Sequence, residues 1–186
     1  MKLSGTPSQT VGPFFHPALS WADGPHVVPA GTEQAIWIRG QVLDGAGDAV
    51  SDALVETWQA DPKGRFAHPE DPRAPQASPS FHGFGRCPTD GSGRFGILTV
   101  KPGRVPDRNG QLQAPHIAVS ILARGLLHRV VTRIYFADEA DASREDSLLA
   151  SLPKERRATL MATAEAGGYR FDIHLSGEHE TIFFAV

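Results

Sequence analysis

The chain is poor in the side chains that build disulfide frameworks and basic binding surfaces. Its 186 residues include one cysteine, Cys87, so an internal disulfide framework is excluded and a reducing, cytoplasmic location is expected. The formal net charge of -3 provides no basic field for nucleic acid. No stretch is long and apolar enough to span a bilayer, and the first ten residues have no apolar signal region.

Several motifs of catalysis and nucleotide binding are also missing. Cys87 and the serines have no Gly-x-Ser-x-Gly context, and neither a Gly-x-Gly-x-x-Gly nor a Walker sequence occurs. Hydrolase chemistry and nucleotide binding are therefore unsupported. The histidines show neither His-x-His nor His-x-x-x-His spacing, so a metal site could arise only from residues that converge from different strands.

Turn-forming residues are abundant. Nineteen glycines and fifteen prolines favour short strands joined by loops. The pattern predicts an all-β chain: an antiparallel β-sandwich with long loops, an extended N-terminal arm over 1–35 and one or two short helices. At this length we expect a single domain over 1–186. The predicted strands cover residues 36–43, 53–58, 93–100, 116–123, 129–136, 170–175 and 180–185.

Some local connections can also be predicted. Turn residues at 44–48 indicate a hairpin between the first two strands, and a turn at 176–179 indicates pairing of the last two. The Pro/Gly-rich stretch 61–92 is expected to be a long functional loop. Helices are expected only between residues 141 and 166, one of them beginning at Pro153.

Four short segments carry a resemblance to a known family. They are Trp-Gln-Ala-Asp-Pro-Lys-Gly-Arg-Phe at 58–66, Lys-Pro-Gly-Arg-Val-Pro at 101–106, Pro-His-Ile-Ala-Val-Ser at 115–120 and Thr-Pro-Ser-Gln-Thr-Val-Gly-Pro at 6–13. In combination and order, they resemble the intradiol ring-cleavage dioxygenases, and among these the protocatechuate 3,4-dioxygenases. The resemblance runs from about residue 6 to the C-terminal end.

The resemblance implies a metal site that this chain has lost. The family binds ferric iron with two tyrosines and two histidines, and the matching positions here hold Phe66, Val105, His116 and Ala118. Fe(III) is a hard cation that prefers oxygen and imidazole donors, and only His116 offers one. The resemblance therefore implies an alpha subunit with no catalytic residue and no metal of its own, whose Fe(III) is held by a separate beta subunit in a higher αβ oligomer. For His116, a structural role is favoured over metal binding.

The family's activity and pocket residues follow from the same resemblance. It implies O2-dependent intradiol cleavage of protocatechuate to 3-carboxy-cis,cis-muconate in the β-ketoadipate route. Gly12 and Pro13 would form part of the wall of the cavity built on the beta subunit, although Gly-Pro alone indicates only a turn. Arg133 would lie near the substrate carboxylate, and an ion pair unrelated to substrate is an equally good interpretation.

Two other functions remain open at this stage. One is a stand-alone β-sandwich binding module for small aromatic acids. The other is a homo-oligomeric enzyme with a relocated metal site. The two tyrosines, Tyr135 and Tyr169, lie in apolar strand-like runs, and we expect them to be core residues with satisfied hydroxyls and not metal ligands.

Overall fold

The computed structural model describes residues 12, 18–74 and 78–185, and these form a mostly β-sheet structure with few short helices. The strands are β1 (Ala35–Leu43), β2 (Leu54–Trp58), β3 (Phe84–Pro88), β4 (Arg94–Val100), β5 (His116–Leu122), β6 (Val130–Phe136), β7 (Met161–Glu165), β8 (Gly168–Arg170) and β9 (Ile173–His174). Between β6 and β7 lie α1 (Ala140–Glu145), α2 (Ser147–Ser151) and a 3-10 helix (Lys154–Leu160).

The strands follow the order β3-β2-β5-β6-β7-β8-β1-β4, and β9 pairs with β1. Most neighbours are antiparallel, but β1 pairs in parallel with β8 and β9, and β6 pairs in parallel with β7. The predicted purely antiparallel arrangement is therefore wrong. The helical segment after β6 carries the chain across before β7 begins, and such a crossover is what allows a parallel neighbour.

The main apolar core is shared by strands from both ends of this order. Ile38 of β1 and Ile97 of β4 belong to the same buried cluster as Val119 of β5 and Ile134 of β6. On β5, buried residues alternate with half-buried ones, as expected for a strand with one face in the core. Burying each large aliphatic side chain contributes about 1.5–3 kcal/mol, so this shared core is the main source of stability.

The predicted hairpin between the first two strands is wrong. The turn itself forms, because Asp44 Oδ1 accepts the backbone N–H groups of Ala46 and Asp48 at 2.9 Å. The chain then returns only as far as Val50, whose N–H donates to the Val42 carbonyl at 2.9 Å. Beyond it, β2 pairs with β3 and β5, whereas β1 pairs with β4, β8 and β9.

The long loop predicted over 61–92 contains a strand. β3 pairs antiparallel with β2 along its whole length, from Leu54 opposite Pro88 to Trp58 opposite Phe84. Its sequence, with Gly85 inside and Pro88 at the end, has weak strand propensity. Gly85 is required there, because a Cβ would lie 2.8 Å from the Thr57 Oγ1 and from a Val27 methyl group.

Part of the predicted N-terminal arm is packed in the core. The side chains of Val27 and Val28 are 0% and 3% exposed. The N–H of Val27 donates to the Leu98 carbonyl, and the N–H of Leu98 donates to the Pro25 carbonyl, both at 2.9 Å. This stretch is therefore held by β4 of its own chain. Residues 1–11 and 13–17 of the arm lie outside the described residues.

The predicted pairing of the last two strands is also wrong. Residues 170–175 contribute to β8 and β9, which pair with β1. Residues 180–185 form no strand; the Thr181 N–H donates to the His174 carbonyl at 3.0 Å, and the Phe184 N–H then donates to Val131 of β6 at 2.8 Å. The chain turns back as predicted, but it then leaves β9 and runs to β6.

The helices between β6 and β7 lie where the sequence places them, whereas residues 18 and 19 are also helical and contradict the expectation that helices occur only between residues 141 and 166. Pro153 immediately precedes the 3-10 helix, as expected for a residue with fixed φ and no N–H. Asp146 caps α2 by accepting the Leu149 N–H with Oδ1 at 2.9 Å, and its Oδ2 accepts the Ala114 N–H just before β5 at 2.7 Å. No helix within the described ranges has the length and apolar character needed to cross a membrane.

Candidate substrate pocket and degenerate metal positions

The first residues of the candidate site lie at the end of β2. Trp58 closes the strand, and Gln59 follows with its side chain 1% exposed. The Gln59 Nε2 donates to the Val100 carbonyl at 2.8 Å, while its Oε1 accepts the Thr99 hydroxyl at 2.7 Å. A buried amide needs such partners, and here they fasten the end of β2 to the end of β4. Both of the loops that carry the first two degenerate positions start from this junction.

The loop after β2 is fixed by Asp61. Its Oδ1 accepts the N–H groups of Lys63 and Arg65 at 2.8 and 2.9 Å, and its Oδ2 pairs with the Arg65 guanidinium. The Asp61 carbonyl accepts the Gly103 N–H at 2.9 Å, which ties this loop to the Lys-Pro-Gly loop. A Cβ on Gly103 would lie 2.5 Å from the Pro62 carbonyl oxygen, so the close approach of the two loops requires glycine.

Phe66 is held by a second carboxylate. Asp71 Oδ2 accepts the Phe66 N–H at 2.9 Å, and Arg73 links Asp71 to the Gly64 carbonyl. The hydrogen bond from Arg73 keeps the pKa of the Asp71 carboxyl well below its usual range, so the carboxylate stays charged. The Phe66 ring stacks on Trp58, with ring centroids 6.0 Å apart and an interplanar angle of 8°. Phe66 therefore adds aromatic surface at a position that the sequence resemblance matches to an iron-binding tyrosine.

The third and fourth degenerate positions lie on β5. His116 and Ala118 alternate with the buried Ile117 and Val119, so they face away from the main core as predicted. His116 Nδ1 lies 2.8 Å from the Ala114 carbonyl oxygen. A carbonyl can only accept, so Nδ1 carries the hydrogen and Nε2 is left as an acceptor.

Arg133 lies opposite Ala118 in the register of β5 and β6. Its Nη1 donates to Gln113 Oε1 at 2.6 Å and to the Tyr135 hydroxyl at 3.3 Å. Both partners are neutral groups. Among the described residues, no carboxylate lies within ion-pair distance of Arg133.

These elements enclose one pocket of about 250 Å³, which we call the Arg133 pocket. Its walls include Phe66, Val105, Gln113, His116, Ala118 and Arg133. All four degenerate positions therefore meet in three dimensions although they come from two loops and a strand. Trp58, Phe66 and Pro106 also line a larger, more open groove of about 770 Å³.

The pocket favours neutral forms of its titratable groups. Burial, with the nearby Arg133 charge second, lowers the pKa of His116 to about 4, so the imidazole is neutral at pH 7. Burial raises the pKa of the Tyr135 hydroxyl to about 12. Among the described side chains that line the pocket, the guanidinium of Arg133 is thus the one full charge at neutral pH.

The residues present do not fit ferric iron. The phenyl ring of Phe66 and the alkyl groups of Val105 and Ala118 have no lone pairs, which leaves a single imidazole beside a cationic guanidinium. The charge of Arg133 would also repel a metal cation. Elsewhere in the part of the chain that the structure describes, no three histidine, cysteine or carboxylate side chains are grouped as metal ligands would be.

The structure describes some of the other residues singled out from the sequence but not all of them. Gly12 is half-buried, and a Cβ there would meet nothing within 4 Å; Pro13 lies outside the described residues. Tyr135 and Tyr169 are core residues, as predicted, with 0% and 8% exposure. Their hydroxyls are satisfied, because that of Tyr135 accepts from Arg133 and that of Tyr169 donates to Asp138 at 2.8 Å.

The sequence interpretation missed Gln113 and Gln59. Gln113 belongs to no motif, and only the return of the loop 101–115 toward β6 brings its amide to Arg133. Gln59 lies inside the Trp-Gln run, but nothing in the run itself indicates that its amide would be buried between two strand ends. Neither position therefore carried a sequence signal that would have identified it.

Comparison with known proteins places the chain in a family. A family model described as Dioxygenase matches residues 11–177. The protocatechuate 3,4-dioxygenase alpha chain of Burkholderia cepacia is 40% identical, over 99% of this chain and 98% of its own length. The corresponding alpha chain of Pseudomonas putida is 39% identical, over 98% and 96%. The beta chain of the Burkholderia cepacia enzyme is 36% identical, over 80% of this chain and 67% of its own length.

Solved structures agree on the fold. The dioxygenase domain of a dioxygenase carbohydrate-binding protein fusion from Streptomyces sp. SirexAA-E matches with a TM-score of 0.62 and 24% identity, over 94% of this chain and 99% of that one. An intradiol ring-cleavage dioxygenase from Tetranychus urticae matches with a TM-score of 0.64 and 16% identity, over 96% and 97%. The chain thus belongs to the dioxygenase family, and over nearly its whole length it is similar to the alpha chains of protocatechuate 3,4-dioxygenases.

Proposed function

We propose that this chain is the alpha subunit of an intradiol dioxygenase that cleaves protocatechuate to 3-carboxy-cis,cis-muconate with O2. It pairs with a beta subunit that carries Fe(III), and it contributes no iron ligand of its own. The full-length similarity to two alpha chains supports this assignment. The beta chain of Burkholderia cepacia, which is one of the two organisms that supply these alpha chains, is also a relative. The iron supplies the oxidative chemistry, so the share of this chain is to complete the cavity and to stabilise its partner.

One observation supports this function above the others. The positions that resemble the family's four ligands converge in the Arg133 pocket, but three of them carry no donor atom. A fold that keeps the shape of a metal pocket and lacks its ligands fits a subunit whose catalytic partner holds the metal. A relocated metal site has no such support, because no cluster of three potential ligands occurs in the described ranges.

The proposal includes an architecture and a set of wall residues. We propose that the β1–β4 and β2–β5–β6 groups of strands form the two layers of a β-sandwich, a view supported by the core cluster to which both contribute. Gly12, Pro13 and Arg133 would form this chain's part of the cavity wall on the beta subunit. A Cβ built on Gly12 would meet none of the described residues within 4 Å, which suits close approach by a partner or ligand on that side.

The test is to measure the iron content and visible absorption of the chain purified alone and after co-expression with a beta partner. We expect the lone chain to be colourless and free of iron. The complex should be coloured and active, because tyrosinate-to-Fe(III) charge transfer requires phenolate ligands that this chain does not offer at the degenerate positions. Stoichiometric iron in the lone chain would contradict the proposal, as would a chain that forms no complex with any such partner.

A further inference from the structure

We infer that Arg86 is a positioning residue for the proposed reaction: it fastens the N-terminal segment to β3 and so sets where Gly12 meets the cavity on the partner subunit. The inference rests on the proposed function, in which Gly12 forms part of the wall of that cavity. Arg86 lies on β3 and is not among the residues that line the Arg133 pocket. It would act only through the segment that it holds.

The base of the N-terminal segment is fixed by backbone hydrogen bonds to both end strands of the sheet. β3 and β4 are the two ends of the strand order. The Gly24 carbonyl accepts the Arg86 N–H of β3 at 2.7 Å. The Val27 N–H donates to the Leu98 carbonyl of β4, and the Leu98 N–H donates to the Pro25 carbonyl, both at 2.9 Å. This short stretch is therefore a fixed starting point for the residues that precede it.

The guanidinium of Arg86 holds the chain beyond this base. Its Nη1 donates to the Leu19 carbonyl at 3.1 Å, while its Nε donates to Glu56 Oε1 at 2.7 Å. Glu56 lies opposite Arg86 in the register of β2 and β3, so the carboxylate that orients the guanidinium is itself positioned by the sheet. Because a guanidinium is planar and donates in fixed directions, the position of the two strands is passed on to residue 19.

An aromatic contact fastens the same stretch a second time. The Trp21 ring stacks on Phe84 of β3, with ring centroids 6.3 Å apart and an interplanar angle of 15°. The Arg86 guanidinium carbon lies 5.1 Å from the Trp21 ring centroid and 5.3 Å from that of Phe84, a geometry in which cation and ring attract each other. A Cβ on Gly24 would lie 2.7 Å from the Arg86 carbonyl oxygen, so glycine allows this close approach.

These contacts are poorly suited to stabilising the core. Trp21 is 49% exposed, whereas Val27 is 0% exposed and belongs to the main core. Partly exposed ion pairs contribute little to the free energy of unfolding. They instead restrict the segment, and a restricted segment has less conformational freedom to lose when it docks against a partner. The cluster therefore fits the task of presenting the segment better than that of holding the fold together.

The length of chain between the anchor and Gly12 gives the expected size of the effect. Gly12 lies seven residues before Leu19 and twelve before Gly24. Those lengths span at most about 25 Å and about 40 Å when fully extended. The effective concentration of a tethered group falls roughly as the −3/2 power of tether length, so release of Leu19 should lower that of Gly12 at the cavity by about twofold. Lost orientation would add to this.

The experiment measures steady-state cleavage of protocatechuate by the complex of the full chain with a beta partner. Arg86→Met removes the hydrogen bonds to Leu19 and Glu56 and keeps a long side chain. We expect KM to rise by at least about twofold with little change in kcat, because ground state and transition state lose the same wall contact. Iron content and complex formation should not change. Trp21→Ala should act in the same direction, whereas Trp21→Phe, which keeps a ring against Phe84, should keep KM close to that of the unmodified complex.

The matched control is Arg39→Met. Arg39 also pairs with a glutamate, Glu165, and lies 5.1 Å from the centroid of an indole ring, that of Trp37, but these contacts join β1 and β7. We expect this variant to leave KM unchanged.

A double-mutant cycle tests whether Arg86 acts through the segment. In a chain that carries Gly12→Val, Arg86→Met should raise KM by a smaller factor than in the unmodified chain, because the wall contact is already altered. Equal factors in the two backgrounds would overturn the inference, since Arg86 would then act independently of Gly12.

The other outcomes separate this inference from the proposed function. An active complex whose KM is the same with Arg86→Met overturns the inference and leaves the function intact. Loss of the complex or of its iron with Arg86→Met also overturns it, because Arg86 would then support the fold or the interface itself. If the unmodified chain forms no active complex, the proposed function is contradicted and the inference with it.

Discussion

The two faces of the β5–β6 pair share one backbone but differ in what their side chains contact. On one face, Ile117 and Ile134 lie opposite each other with 0% exposure in the main core. On the other face, Ala118 and Arg133 lie opposite each other and line the Arg133 pocket. The core face has what the fold needs, whereas the pocket face lacks what a ferric site needs. Side chains on the pocket face can therefore differ without loss of the fold, because alternation separates the two sets of side chains.

The largest effect is expected on the core face. Ile134→Ala should lower the free energy of unfolding by about 2–5 kcal/mol, because it removes buried methyl groups and leaves a cavity. Chemical denaturation with matched slopes measures this loss. Ser120→Ala, a half-buried position on the other face of β5, should change stability by less than about 0.5 kcal/mol. Equal losses in the two variants would remove the distinction between the faces.

The next largest effect is expected where the two loops of the pocket meet. Gly103→Ala should cost about 1–3 kcal/mol, since its Cβ would lie 2.5 Å from the Pro62 carbonyl oxygen and 2.7 Å from the Gly64 nitrogen. Thermal or chemical unfolding measures the cost. Gly91→Ala is the control, because its Cβ would have no neighbour within 4 Å. A fully stable Gly103→Ala chain would show that the loops can separate without cost.

The pH dependence of stability tests the environment of the pocket face. Folded His116 stays neutral down to its pKa of about 4, whereas an unfolded histidine takes up a proton near pH 6.5. As pH falls from 7 to 5, the unfolded state therefore gains protons first, and the folded state loses about 2 kcal/mol of stability from this group. His116→Gln should remove this component, which denaturation at the two pH values detects as a difference from the unmodified chain. Ser120→Ala, which changes no titratable group on the same strand, should leave the pH dependence unchanged. Parallel pH profiles for His116→Gln and the unmodified chain would contradict the prediction.

The smallest effect on stability is expected from replacing Lys101, the charged residue of the Lys-Pro-Gly motif. Lys101 pairs with Asp138 at 3.0 Å and Glu139 at 2.7 Å, and its ammonium also lies over the Phe136 ring. These ion pairs are partly exposed, so Lys101→Met should cost less than about 1 kcal/mol and the cost should shrink in high salt. Denaturation at two salt concentrations measures it, with Lys63→Met as the control at an exposed lysine in the neighbouring loop. A loss as large as that of Ile134→Ala would place this network among the main sources of stability.

Local patterns predicted most strands but not their partners. Period-two alternation located β1, β5 and β6 within about one residue of their observed bounds, because each has one face in the core. The hairpin between β1 and β2 could not be rejected from sequence, since the turn at 44–48 does form. β3 was missed because glycine and proline weaken its strand signal, and its pairing with β2 compensates for that weakness. The cytoplasmic location and the single-domain organisation stay predictions.

The degenerate ligand positions could be named from the sequence because each follows a recognisable motif. The loss of donors is likewise a property of residue identity: Phe66, Val105 and Ala118 carry no suitable atom in any conformation. Whether the four positions still meet could not be read from motifs, because they come from two loops and one strand. Their convergence depends on Asp61, Gly64 and Gly103, which bring the two loops into contact.

The sequence by itself determined the strand faces, the absence of donor atoms at Phe66, Val105 and Ala118, and the family. These depend on side-chain chemistry and on short-range periodicity, which need no knowledge of distant contacts. The tertiary structure decided the sheet order, the packing of Val27 against β4 and the placement of Arg133 beside Gln113 without a carboxylate. The physical reason is that pairing partners and counterions are set by long-range contacts between segments, and many pairings are compatible with the same local pattern.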